Sequence, residues 1–214
     1  MPDPLGAART WDGATLVIAT GHDLSLALLH DGHPVAAFQE PMAKGHAEAL
    51  VPAIARLLEP FGGAQHRCRR IVVEVGPGSF TGLRVGLAAA RALALAWGAD
   101  LRGVRSTQLV AAEARAAGLP DRLLVALAAP RGQVWIEGFG DGAALPPQAF
   151  LPPDAEALVG GYRAVAGTAL LRADQPAMPP RAAAVAGLAM SELGEADILY
   201  VRAPEPTGTG RAPA

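Results

Sequence analysis

A glycine-rich run between an apolar strand and a nearly uncharged helix most constrains what this 214-residue chain can fold into. The run GPGSFTGLRVG occupies residues 76–86, follows the apolar segment 71–75 and leads into a helix predicted over 83–97. Glycine has no Cβ atom and accepts positive φ, so this turn allows another backbone to approach closely. N–H groups at the start of the helix also favour an anion. The pattern predicts a tight strand-to-helix turn beside a phosphate-sized space.

The segments before this run predict a compact α/β unit. Apolar runs predict strands at 16–18, 24–29 and 35–38, with Asp31-Gly32 as the hairpin turn between the last two. Apolar residues spaced three and four apart over 47–61 predict a helix that Gly62-Gly63 ends. With the strand at 71–75 and the helix that follows it, the order is β-β-β-α-β-α.

The second half repeats this order more weakly. Its predicted elements are a strand at 101–104, a helix from Ser106 or Thr107 to 117, a strand pair at 123–127 and 134–139, a Pro-rich surface loop at 146–153, a short strand at 165–167, a helix at 182–193 and a last strand at 198–201. Two similar halves suit a duplicated two-lobe fold. Periodicity alone also accepts a single doubly wound sheet.

Charge and cysteine content exclude several classes of protein. The net charge of −2 gives no basic surplus, which a protein that holds nucleic acid mainly by itself would need. Cys68 is the single cysteine, so an intrachain disulfide or a cysteine-based zinc site is excluded. The N-terminus lacks the pattern of a signal peptide, and the apolar helix, interrupted by Arg91, is expected to be too short for a bilayer. The expected location is the cytoplasm.

The glycine-rich run and the Ala-rich helix after it closely resemble the signature of the TsaB (YeaZ) family. Further segments match this family in the same order, at 25–32 (the opening hairpin), 44–52 (a pattern H-x-E-x-L-x-P), 132–135 (GQVW for the family's GEVY) and 200–202 (YVR for YLR). The resemblance covers residues from about 16 to 202. It implies two actin-like lobes of the ribonuclease-H-like type, with mixed sheets flanked by helices and a trimmed second lobe.

This resemblance also implies domain bounds and a role. The expected parts are a flexible extension at 1–13, a first lobe at 14–103 that carries the partner-binding helices, a second lobe at 104–203 and a disordered tail at 204–214. The implied role is a non-catalytic partner of TsaD in making threonylcarbamoyladenosine beside the anticodon of tRNA. TsaE is a further implied partner, tRNA is contacted only through the complex, and no membrane is involved. The chain is expected to form a homodimer when alone, to hold no cofactor, and to leave ATP and a metal ion to its partner subunits.

Two departures from the family pattern concern acidic residues. Relatives begin their first strand with Asp-Thr-Ser or Asp-Thr-Ala, whereas this chain has Ile18, Ala19 and Thr20. Relatives often carry Asp-Ala-Arg where this chain has residues 128–131, AAPR. A methyl group cannot replace an oxygen ligand of a metal ion, so we expect neither a catalytic nor a metal-binding residue. An active small ATPase, or a glycoprotease-like peptidase of the same superfamily, is the alternative.

Established site motifs are absent from the glycine-rich run. The spacing of Gly76 and Gly82, with no lysine after it, excludes a Walker P-loop, and Thr81 stands where a dinucleotide motif needs its third glycine. Ser79 lacks the G-x-S-x-G elbow of hydrolases. The small side chains and backbone donors here still predict a residual phosphate-sized cleft, lined by Thr20, Gly21, Gly76, Gly78 and Ser79.

The helix at 83–97 is predicted to contact a partner, because it is apolar on nearly all sides. Its expected interface residues are Gly82, Leu83, Gly86, Leu87, Ala90, Arg91 and Ala94, with help from the helix at 47–58. Arg84 is expected to anchor carbonyls or a carboxylate near the glycine-rich turn. Arg91 is expected at the rim of the interface.

Overall fold

Nine strands form two mixed sheets in the computed structural model, which describes residues 11–171 and 175–201. The first sheet has the order β3-β2-β1-β4-β5, and β2 runs antiparallel to β1 and β3 while β4 and β5 run parallel to β1. Its strands are β1 (Ala14–Ala19), β2 (Leu24–His30), β3 (His33–Glu40), β4 (Arg70–Gly76) and β5 (Asp100–Arg105).

Both faces of this sheet are covered by other elements. Successive side chains of a strand point to opposite faces of the sheet, so apolar residues at successive positions supply both faces. Leu16 and Ile18 pack beneath α1 (His46–Leu58) and α2 (Phe80–Trp97), which lie side by side. Val17 and Ala19 point to the opposite face, where α3 (Ser106–Ala116) and a 3-10 turn at Ala182–Gly187 cover them. This double coverage explains why β1, β2 and β4 are almost uniformly apolar.

The second sheet repeats the first in a shorter form. Its order is β8-β7-β6-β9, and it carries β6 (Leu123–Ala128), β7 (Val134–Phe139), β8 (Leu145–Phe150), α4 (Pro152–Val159) and β9 (Ala164–Gly167). The sequence of hairpin, third strand, helix and parallel strand is that of the first sheet without a fifth strand. The duplicated α/β fold with a trimmed second lobe is therefore confirmed, and a single doubly wound sheet is excluded.

Three predicted elements are wrong. The helix at 182–193 is two 3-10 turns, Ala182–Gly187 and Met190–Glu192, because Leu188 and Ala189 between them are extended. The strand at 198–201 is absent, and Leu199 N–H makes one backbone hydrogen bond, to Val75 O at 2.8 Å. The Pro-rich stretch 146–153 is not a loop. It forms most of β8, an edge strand where proline is tolerated, and the first turn of α4.

The predicted extension and tail fall largely outside the described residues, as does residue 202. Trp11, at the start of the described chain, donates its indole N–H to Leu188 O at 2.9 Å, and Asp12 pairs with Arg69 at 2.9 Å. The last residues of the predicted extension are thus held against the first lobe.

Helix α2 is longer than the sequence suggested. It has 18 residues, and within the described chain it is the one helix whose length and composition would suit a membrane crossing. The expectation that it is too short is therefore wrong. Core helices of soluble proteins meet the same criterion, and α2 packs along β4 and β1 of the first sheet.

Candidate functional site

The glycine-rich turn between β4 and α2 closes tightly on the connection between β1 and β2. Ser79 N–H donates to Gly21 O at 2.6 Å, and the Ser79 hydroxyl accepts the N–H of Gly82 at 3.3 Å as the cap of α2. A Cβ atom at Gly78 would lie 2.7 Å from Gly21 O. At Gly76, φ is +116°, which favours glycine. The two loops are therefore packed backbone to backbone.

Thr20 extends this contact onto the first turns of α2. Its hydroxyl donates to Gly82 O at 2.8 Å. A Cβ atom at Gly82 would lie 2.0 Å from Thr20 O, and one at Gly86 would lie 2.3 Å from Thr20 Oγ1. The structure thus brings together all five residues predicted to line a phosphate-sized cleft, but it leaves little space between them.

A buried carboxylate that the sequence reading missed lies at the centre of this contact. Glu74, near the end of β4, is 1% exposed, and its Oε2 accepts the N–H groups of Thr20 at 2.8 Å and Gly21 at 2.5 Å. The expected lack of an acid on β1 is correct for residues 18–20, yet the adjacent strand provides one. The signal was the single charge within the apolar run IVVEV, residues 71–75.

The pKa of Glu74 is lowered despite its burial. Desolvation by itself raises this pKa, but the nearby His22 ring, the Ser106 hydroxyl and the Gly21 N–H favour the ionised carboxylate and together outweigh desolvation. His22 Nδ1 lies 3.7 Å from Glu74 Oε1. Glu74 therefore stays ionised at neutral pH and makes charge-assisted hydrogen bonds to the backbone.

The other wall of the cleft belongs to the second lobe and carries a second buried acid. Glu137 on β7 pairs with Arg105 at the end of β5, with Oε1 2.7 Å from Nη2, and it also accepts the Thr107 hydroxyl. Trp135, also on β7, contacts the His22 ring edge-on, with centroids 6.1 Å apart. Both carboxylates are thus occupied by partners within the chain.

Most residues predicted for a partner interface on α2 face the inside of the lobe. The buried ones are Gly82, Leu83, Gly86, Leu87 and Ala90. Ala94 is partly buried and Arg91 is exposed. The small-residue stripe is wrong as a docking surface because it packs on β1 and β4, where Thr20 and Ile18 leave no room for a Cβ atom at Gly86.

Both arginines of α2 bind the C-terminal segment. Arg84 stacks on Phe80, with Cζ 3.6 Å from the ring centroid, and donates to the Tyr200 hydroxyl at 3.1 Å. Arg91 donates to the Asp197 carboxylate at 2.8 Å and to Ala196 O at 3.1 Å. Arg84 is thus an anchor next to the glycine-rich turn, but its partner is a phenol rather than a carbonyl or carboxylate.

This segment, residues 196–201, lies over the mouth of the cleft. A pocket of about 240 Å³ remains there, lined by Pro77, Gly78, Trp135, Tyr200 and their neighbours. The carboxylates of Glu74 and Glu137 do not line it. The arrangement therefore offers close packing around two buried carboxylates rather than an open reaction site.

A family model and several curated proteins are similar to this chain. A family model described as "TsaD: tRNA N6-adenosine threonylcarbamoyltransferase" matches residues 40–141. The tRNA threonylcarbamoyladenosine biosynthesis proteins TsaB of Bacillus subtilis and Escherichia coli are each 32% identical, over 96 and 114 residues, or 45% and 53% of this chain. These matches span 42% and 49% of the two relatives, about half their length. Uncharacterized protein Rv3421c of Mycobacterium tuberculosis is 30% identical over 168 residues, which cover 76% of this chain and 78% of that protein.

Two solved structures from Pseudomonas aeruginosa share the fold. One, described as an uncharacterized protein with similarity to peptidase YEAZ, has a TM-score of 0.71 at 23% identity and covers 89% of this chain and all (100%) of its own. The other, YeaZ, has a TM-score of 0.67 at 22% identity and covers 88% and 100%. Two duplicated α/β lobes around a cleft define a protein of the actin-like class. Within that class, the chain belongs to the TsaB (YeaZ) family.

Proposed function

We propose that this chain is a non-catalytic scaffold subunit of a TsaD-type complex, which transfers a threonylcarbamoyl group to adenosine beside the anticodon of tRNA. Family membership supports the pathway, and the names of the B. subtilis and E. coli relatives state it for those proteins. The observation that carries the scaffold role is an apolar outer surface on α1 and α2.

That surface, the α1–α2 outer face, consists of small and aliphatic side chains that face solvent. On α1 they recur every four residues, and on α2 they follow one helical side: Ala47, Val51, Ala55, Ala88, Ala92, Leu95 and Ala96. Val51 is 64% exposed and Leu95 is 87% exposed. Exposed apolar side chains grouped on one side of neighbouring helices are typical of a protein interface. TsaD is the proposed occupant, and a second copy of this chain takes its place when the chain is alone.

Catalysis is assigned to the partners. Ser79 caps a helix, Glu74 is bound by backbone N–H groups, and Glu137 is paired with Arg105, so none of them is free to act on a substrate. ATP and a metal ion therefore belong to the partner subunits, TsaE among them. The net charge of −2 favours tRNA contact through the complex, and we place this assembly in the cytoplasm without a membrane.

Charge substitutions on the outer face test this proposal. Leu95→Glu should lower co-purification of TsaD and shift the lone chain from dimer to monomer in sedimentation, because a carboxylate in an apolar interface loses its hydration. We expect at least about a tenfold loss of affinity, corresponding to roughly 1.4 kcal/mol. The modification of tRNA in the reconstituted complex should fall in parallel.

Leu151→Glu is the matched control, since Leu151 is 57% exposed but lies on the second lobe before α4. It should leave both associations unchanged. If Leu95→Glu and Leu151→Glu behave alike, or if the lone chain hydrolyses ATP at an enzymatic rate, the scaffold proposal is wrong.

A further inference from the structure

Two consecutive backbone N–H groups converge on one oxygen at the end of β1. The N–H groups of Thr20 and Gly21 both point to Glu74 Oε2, at 2.8 Å and 2.5 Å. Successive N–H groups aimed at one point form the concave sites by which protein backbones bind anions such as phosphate. Here the bound anion is a side chain of the same protein.

Other groups around this point also suit a negative charge. Ser106, the first residue of the 11-residue helix α3, is fully buried, and its hydroxyl faces the Glu74 carboxylate. Neither Ser106 Oγ nor Glu74 Oε1 completes a hydrogen bond within the described residues. His22 approaches Oε1 from the cleft side, at 3.7 Å. Two amides, an imidazole, a hydroxyl and a helix N-terminus therefore surround one carboxylate.

No space remains for a second anion beside this carboxylate. A Cβ atom added to Gly21 would lie 2.9 Å from Glu74 Oε1 and 2.9 Å from Leu83 Cδ2. Gly78 and Ser79 are pressed against Gly21 on the other side. The site is complete and filled.

We infer that Glu74 is an internal substitute for a phosphate group. Its carboxylate fills an anion subsite built by the N–H groups of Thr20 and Gly21 with His22 and Ser106, and so closes the cleft to nucleotide phosphates. This inference concerns the lone chain and does not depend on the proposed role in a complex.

Removing the side chain tests whether the subsite exists beneath it. Glu74→Ala deletes a carboxymethyl group, which is close in size to inorganic phosphate. The variant should bind inorganic phosphate in calorimetric titration at least about tenfold more tightly than the wild-type protein. Glu74→Gln is the matched control, because its amide fills the same space and it should bind phosphate no better than wild type.

Thermal melting with and without phosphate provides the second readout. Phosphate should raise the Tm of Glu74→Ala and leave the Tm of wild type and Glu74→Gln unchanged. If Glu74→Ala folds only when phosphate is added, the inference is also supported. It is overturned if phosphate raises the Tm of the wild-type protein. It is equally overturned if Glu74→Ala gains no affinity when folded, or is not restored by phosphate when unfolded.

Discussion

Gly82 has no side chain because the backbone of another loop occupies that space. An added Cβ atom would lie 2.0 Å from Thr20 O, and both backbones are fixed, one by the sheet and one by the helix. Gly82→Ala should therefore force α2 away from β1 and lower the free energy of unfolding by about 3 kcal/mol, at the upper end for overpacked cores. Urea denaturation measures this loss.

The matched control is Gly160→Ala at the end of α4. Gly160 has φ of −60°, and a Cβ atom added there would have nothing within 4 Å, so alanine should be tolerated without loss. Equal stability of the two variants would contradict the close contact between α2 and the β1–β2 connection. The variant Gly86→Arg would also destabilise the lobe by a steric clash, in its case with the Thr20 hydroxyl.

Glu74 is expected to make stability depend on acidity. Its pKa in the folded protein is lowered from 4.5, so the folded state holds the ionised form more strongly than the unfolded chain does. Its contribution is therefore present in full above pH 4.5 and is lost as the pH falls through the folded pKa.

The variant Glu74→Gln isolates this contribution from that of other carboxylates. The difference in unfolding free energy between wild type and variant should be constant at neutral pH and shrink as the pH falls below 4.5. Denaturant titrations at several pH values measure it. A difference that stays constant over the whole pH range would mean that protonation of Glu74 does not cause the loss of stability in acid.

At the scale of elements, α2 holds the C-terminal segment over the cleft by side chains that remain exposed. Arg91 and Asp197 are 56% and 80% exposed, so solvent screens their attraction. Arg84→Ala and Arg91→Ala should each cost no more than about 1 kcal/mol of global stability. Together they should speed hydrogen exchange at the Leu199 N–H, whose bond to Val75 O they help to protect.

Arg102→Ala serves as the control for this pair, since Arg102 binds Asp100 on β5 rather than the segment. Exchange at Leu199 should not change in it. Unaltered exchange in the double variant would show that the segment is held by backbone contacts alone. The expectation that Arg91 lies at the rim of a partner interface stays a prediction.

At the scale of the whole molecule, the two lobes are joined by a partly buried charge pair and by a shared helix. Arg105 ends the first sheet and Glu137 belongs to the second, while α3 packs against both sheets. Glu137→Ala should leave the partly exposed Arg105 guanidinium without its partner and lower the unfolding free energy by about 2 kcal/mol. In calorimetry, the melting temperatures of the two lobes should then lie further apart than in the wild-type protein.

Asp197→Ala removes an exposed acid instead and should change the unfolding free energy by less than about 1 kcal/mol. A loss of similar size in both variants would contradict the special role of the pair between the lobes. Replacing Arg105 and Glu137 together by methionine and leucine should recover much of the loss, because neither charge is then left without its partner.

The sequence by itself determined the order of elements in the first lobe and the position of the glycine-rich turn. Alternating apolar residues and the Asp31-Gly32 turn specify the hairpin, and Gly62-Gly63 ends the helix before β4, because these signals are local. The order of elements suits a duplicated fold but also accepts a single doubly wound sheet, and the family resemblance favours the duplication. Local signals fail at 182–193, where residues held by distant contacts, such as Ala182 N–H to the Ser25 hydroxyl, do not form the helix that composition favours.

Tertiary structure alone decided the site and the outward surface of α2. Periodicity shows that one side of a nearly uncharged helix must be buried but cannot say which when every side is apolar, so it wrongly predicts Gly82, Gly86 and Ala90 to face outward. The pairing of Glu74 with Thr20 and Gly21 crosses about fifty residues of sequence and depends on β1 and β4 being neighbours. A charge within an apolar strand signals such a partner, and only the packed sheet identifies it.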